Sequence, residues 1–114
     1  MAVAIDSIEG YGLPEVVRED YLASYVGERF ADQMPHVRVY PTELPVLSGL
    51  LSGIQTPVRV IAGRKDIVVL VANAEYLHER LPNSRLDIID VGHFVWEEGA
   101  EEYATAVTGW WQAN

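Results

Sequence analysis

Val58-Arg59-Val60-Ile61-Ala62-Gly63-Arg64-Lys65-Asp66 and, one segment later, Arg85-Leu86-Asp87-Ile88-Ile89-Asp90-Val91-Gly92-His93-Phe94 decide the fold. The run 58–62 is short, β-branched and bounded by Gly63, the pattern of a strand buried in a sheet. A second strand is predicted over 85–91, broken by Gly92. Between them Ala74, Leu77, His78 and Leu81 recur at helical spacing until Pro82-Asn83 stops the segment. After them Ala100, Tyr103, Ala104, Val107, Trp110 and Trp111 fall on one helical face, and this stripe is predicted to be core. Strand, helix, strand and helix with short connections predict a right-handed βαβ unit with parallel strands. Parallel strands are normally flanked by neighbours. The free edge of 58–62 therefore calls for a second copy, another polypeptide or a rearranged N-terminal piece.

Upstream of Pro57 the pattern is helical. Pro14 suits a first helical position and is followed by Val16, Val17, Tyr21, Leu22 and Tyr25 at spacings that make one apolar stripe. Gly27 is predicted to interrupt it, Phe30 and Met34 to sit on a short second helix, and Pro35 to close that helix. Thr42 reads as the N-cap of a third helix holding Leu44, Leu47, Leu50 and Leu51 and ending near Gly53. The chain divides accordingly into a helical segment, 1–55, and a βαβα segment, 56–114.

Composition narrows the partners. The 114 residues, 49% of them hydrophobic, suit one compact domain, and 8 Lys+Arg against 17 Asp+Glu give a formal charge of −9. That charge would repel nucleic acid and an anionic membrane surface, so neither is expected as a partner. Cysteine is absent, which removes disulfides, thiolate metal sites and a cysteine nucleophile. No apolar run is long enough to span a bilayer. Met1-Ala2-Val3-Ala4-Ile5-Asp6 lacks the basic start and apolar run of an export signal, so a cytoplasmic location is the expectation.

The chemistry-bearing residues sit where the predicted topology opens. Asp66 follows the carboxyl end of the first strand and His93 that of the second. Neighbouring strands run about 4.8 Å apart, so loops leaving the same end of a parallel pair can bring a carboxylate to an imidazole. Such a bond fixes one imidazole tautomer and stabilises the imidazolium formed when His acts as a base. Ligands of open α/β sheets also bind at this end. Asp90 is an alternative partner for His93. His36 and His78 lack a second ligand at metal-binding spacing and read as a loop residue and a helix-surface residue. Glu97 and Glu98 read as the acidic first turn of the last helix.

The stretch from Thr56-Pro57-Val58 through Gly63-Arg64-Lys65-Asp66, Leu81-Pro82-Asn83-Ser84 and Ile89-Asp90-Val91-Gly92-His93-Phe94 resembles the end of the α/β-hydrolase fold. That family runs from a strand to a Gly-x-x-Asp turn with the catalytic acid, then a helix, a strand and a Gly-His loop with the catalytic base. The resemblance implies that Asp66 is the acid and His93 the base. It also implies that the helices before Leu51 are similar to the end of the cap many members insert, and that no cofactor is needed. The fold it implies is α/β: a partial α/β-hydrolase with a helical cap remnant, a βαβ unit and a C-terminal helix. Phe94, Val95 and Trp96 are candidates for the wall of an apolar substrate pocket under the cap.

The sequence departs from the family at one decisive point. The nucleophile of the family sits in a Gly-x-Ser-x-Gly elbow or an equivalent turn with Asp, and neither Ser48 nor Ser52 has the flanking glycines. The oxyanion-hole loop is missing as well. The expectation is a truncated or split hydrolase, inactive alone, whose relatives cleave an ester, amide, epoxide or similar bond through a covalent intermediate. A small-molecule substrate would bind once the missing part is supplied. The alternative is a noncatalytic module that self-associates, or binds a partner chain, through the open strand edge. A third reading is an unrelated small βαβ domain in which Asp66 and His93 are incidental.

Overall fold

A computed structural model describes Ile5, Asp6, Ile8 and residues 11–113. Met1 to Ala4, most of the stretch weighed for an export signal, lie outside the described residues. Among the elements that lie wholly within the described residues, three helices come first: α1 (Glu15–Ala23), α2 (Arg29–Arg38) and α3 (Tyr40–Leu50), the last continued by a 3₁₀ turn, Leu51–Gly53. Then follow β1 (Val58–Gly63), α4 (Val71–Arg80), β2 (Ser84–Ile89), the short α5 (Val95–Glu98) and α6 (Ala100–Ala113).

The strands pair in parallel, from Val58 opposite Ser84 to Gly63 opposite Ile89. Among the described residues they form a sheet of two, so one edge of β1 has no strand beside it. Helix α4 lies against both strands and buries Ala74 on that side, with Leu81 just beyond its end. The turn into β2 is tied down by Asn83, whose side-chain amide donates to the Gln55 carbonyl at 2.7 Å while its own carbonyl takes the Val58 N–H at 2.9 Å. Across the strands Arg59 makes two bonds to Asp87, at 2.5 and 2.9 Å, and a third, at 2.9 Å, to the Ala106 carbonyl of α6. One guanidinium therefore fastens β1, β2 and α6 together, as its planar fork permits. Among the described residues the buried hydrophobic side chains are Ile5, Leu51, Ala74, Leu81, Ile89, Phe94 and Val95.

Four local expectations are corrected. Pro14 is the N-cap of α1, with Glu15 the first helical residue; its carbonyl takes the N–H groups of Val17 and Arg18. Pro35 does not close α2 but lies inside it. This turn is exposed, so water can satisfy the carbonyl that proline's missing N–H leaves unpaired. Thr42 is not an N-cap, because α3 starts at Tyr40 with Pro41 in its first turn; the Thr42 hydroxyl instead donates back to the Val39 carbonyl at 2.9 Å. The Trp stripe of α6 is not core: Trp111 is 77% exposed, and Tyr103, Ala106 and Trp110 form the half-buried line. A two-stranded sheet is too narrow to cover both flanks of that helix. No helix among the described residues is long and apolar enough to cross a membrane.

Candidate active site

The turn after β1 crosses over to the chain leaving β2. The Arg64 N–H donates to the Ile89 carbonyl at 2.7 Å and the Lys65 N–H to the Val91 carbonyl at 2.9 Å. Gly63, which is buried, makes this approach possible, because a β-carbon there would run into the Gly92 carbonyl oxygen and stand 2.7 Å from that of Val91. The two loops are thus pressed together at their bases, and their side chains meet above.

Asp66 Oδ2 accepts a hydrogen bond from His93 Nδ1 at 2.8 Å. Its other oxygen accepts the N–H groups of Val68 and Val69, each at 2.8 Å. The carboxylate is 9% exposed and the imidazole 26%. Burial pushes the Asp66 carboxyl up, but the Val69 N–H, the His93 ring and the Val68 N–H together outweigh it and hold the pKa below the ordinary value. An ionised Asp66 makes Nδ1 the protonated nitrogen of neutral His93 and leaves the lone pair on Nε2, which has no hydrogen-bond partner among the described residues.

The surroundings hold this pair in place. The Phe94 ring meets His93 edge to face, with centroids 5.3 Å apart, and meets Tyr21 of α1 and Trp96 of α5 in the same way. The Tyr21 hydroxyl donates to Glu97 at 2.8 Å and accepts the Trp96 indole N–H at 2.9 Å. Burial, reinforced by Glu97, raises the Tyr21 phenol pKa despite the opposing pull of the indole. Glu98 turns back to the His93 loop, accepting the Gly92 N–H at 2.9 Å and the Phe94 N–H at 3.3 Å. Neither acid does what the sequence suggested: they lie in α5, not in the first turn of the last helix.

A half-open cleft of about 270 Å³ borders Asp66 and His93, with Val69, Leu70, Ala74, Leu77, Val95 and Trp96 among its walls. Two of the three predicted pocket residues, Val95 and Trp96, line it; Phe94 does not, being packed among His93, Tyr21 and Trp96. Asp90 is not the partner of His93 but pairs with Lys65 at 3.1 Å on the surface. The Ser48 hydroxyl bonds to that of Tyr76, and His78 bonds through Nδ1 to Ser84 at 2.8 Å. His36 meets the ring of Tyr40. Among the described residues no group of three or more potential ligands could hold a metal.

No family profile matches the chain. A segment of 37 residues is 49% identical to RutD of Cronobacter sakazakii, assigned as a carbamate hydrolase, over 32% of this chain and 14% of that one. Among solved structures, Est816, an N-acyl homoserine lactone degrading enzyme, is 40% identical, with a TM-score of 0.52 over 54% of this chain and 24% of that one. The serine hydrolase CarC, involved in carbazole degradation, superposes with a TM-score of 0.74 over 94% of this chain and 43% of its own, at 20% identity. The chain has the C-terminal part of an α/β-hydrolase fold. This hydrolase-fold segment spans less than half the length of each of these three proteins. The CarC superposition takes in the helices α1 to α3 as well as the βαβα segment, since it covers 94% of the chain.

The depressed Asp66 carboxyl gives the hydrolase-fold segment a definite acid response. A carboxyl whose folded pKa lies below its unfolded value stabilises the fold above about pH 4, and that contribution is lost as pH falls through the folded value. Asp87, lowered chiefly by its bonds to Arg59, acts in the same direction. Urea midpoints measured against pH should therefore fall on acidification below about pH 4. The gap between wild type and Asp66→Asn should narrow over the same range; a gap independent of pH would contradict the assignment.

Proposed function

We propose that the chain supplies the acid and base of an α/β-hydrolase active site, and that the nucleophile and oxyanion hole come from polypeptide outside these 114 residues. The observation that carries this reading is the 2.8 Å bond from His93 Nδ1 to a carboxylate also held by two backbone N–H groups. With Nδ1 engaged, Nε2 takes a proton from the attacking hydroxyl and returns it to the leaving group; it then activates the water that releases the covalent intermediate. Where the nucleophile is a carboxylate, the first proton transfer is not needed and His93 serves the water step. The bond class is ester, amide, epoxide or similar, cut at the carboxyl end of the strands.

Alone, the chain should be inactive. The purified protein is expected to show no turnover of p-nitrophenyl esters or an aromatic epoxide beyond that of free imidazole. A chimera joining the preceding part of Est816 to the aligned segment of this chain should hydrolyse Est816's substrate and lose that activity on His93→Ala. Turnover by the isolated chain that vanishes in both Asp66→Ala and His93→Ala would overturn the claim of inactivity. A folded chimera indifferent to His93→Ala would overturn the base assignment.

A second reading rests on the unpaired edge of β1 and on the adjoining loop, where Ile67 is 76% and Leu70 60% exposed. An open edge beside apolar side chains is a template for strand addition by a second copy or a partner chain. Light scattering tests it: a well-folded chain that stays monomeric at high concentration removes the reading.

A further inference from the structure

We propose that Glu98 is a positioning residue for His93, holding the imidazole on Asp66 by gripping the backbone on either side of it. The inference rests on His93 being the general base and adds to it the group that aims that base. The N–H groups of Gly92 and Phe94, which flank His93, converge on the two oxygens of the same carboxylate, at 2.9 and 3.3 Å. The Glu98 N–H in turn donates to the Phe94 carbonyl at 2.9 Å, the backbone bond that opens α5, so Phe94 and Glu98 are bonded in both directions. Both clamped residues are buried, so water is a poor substitute for the acceptor. Bonds to an ionised acceptor are shorter and stronger than neutral ones, which suits the carboxylate to the task better than an amide.

Space confirms how closely the carboxylate is seated. A β-carbon on Gly92 would stand 2.8 Å from one Glu98 oxygen and 3.0 Å from the other. Glycine at 92 thus lets the acid reach the loop, while Gly63 lets the loop reach β1. Glu98 touches neither Asp66 nor the cleft, so its effect on chemistry passes through the direction of the His93 ring.

The test is nitrogen-15 NMR of the 114-residue chain at a pH where the imidazoles are neutral, comparing wild type with Glu98→Gln. Wild-type His93 should show one tautomer, protonated at Nδ1. In Glu98→Gln one oxygen becomes a donor facing an N–H, and the His93 signals should move towards the averaged values of a free imidazole while amide resonances far from the loop stay in place. A His93 signature unchanged in a folded variant overturns the proposal. Should the variant not fold, hydrogen exchange in the wild type decides: Gly92 and Phe94 amides that exchange as fast as in a free peptide overturn it, and protected ones support it. None of these readouts needs turnover, so the two failures are distinguishable: an inactive chimera would remove the base role of His93, whereas only the NMR and exchange results decide whether Glu98 holds the imidazole on Asp66.

Discussion

The Est816 chimera is expected to lose on the order of 10⁴-fold in kcat when Asp66→Asn is introduced, the size such a change has in a Ser-His-Asp triad. Asparagine fits the same space, but its amide N–H₂ would face Nδ1 and favour the tautomer with the proton on Nε2. The lone pair would then point at the side chain that should support it, and no base would face the nucleophile. The imidazolium would also lose a carboxylate that its own environment keeps ionised. Substrate binding does not involve this bond, so KM should change little. Steady-state kinetics on the folded chimera check it, and retention of kcat within about tenfold of wild type would remove Asp66 from the acid role.

The second large effect concerns stability. Gly63→Ala is expected to destabilise the chain by about 3 kcal/mol or more, at or above the upper end for overpacking, because the new methyl meets backbone and not a side chain that can turn away. Its neighbours would be the carbonyl oxygens of Gly92 and Val91. The two N–H bonds from Arg64 and Lys65 that draw the loops together would have to lengthen to relieve it. A loss of that size is a large part of the roughly 5–15 kcal/mol that holds a domain together. Gly109→Ala is the control: nothing lies within 4 Å of its β-carbon, and alanine inside α6 should gain about 0.5–1 kcal/mol. Urea unfolding of both proteins measures the contrast. Equal midpoints for Gly63→Ala and wild type would mean that the loops are not packed base to base.

Much of this arrangement was legible beforehand because it is local. The β-branched run before Gly63, the Pro82-Asn83 stop and the break at Gly92 each act over a few residues, and a parallel pair then requires both loops to open at one end. The contact of Asp66 with His93 follows from that topology. What stayed hidden depends on partners far along the chain or on which way an acid turns. Tyr21 and Glu97 are 76 residues apart, and no periodicity marks their bond. An acidic residue at the start of a helix can serve the dipole or return to its own loop, and Glu98 does the second. The α6 stripe was misread because helical periodicity reports the face a helix would bury, whereas Trp111 finds no surface on a sheet of two strands. The same limit applies to Phe94: being apolar beside an imidazole suits a wall and a brace equally, and the rings of Tyr21 and Trp96 decide for the brace.

The phenol of Tyr21 has a mechanical consequence. One oxygen atom holds the indole of Trp96 and the carboxylate of Glu97 to α1, while the ring beneath it rests on Phe94. Any tilt of the first helix is therefore passed through that atom to Trp96 in the wall of the cleft, and Tyr21→Phe would remove that tie while leaving the bond between Asp66 and His93 at the strand tips untouched.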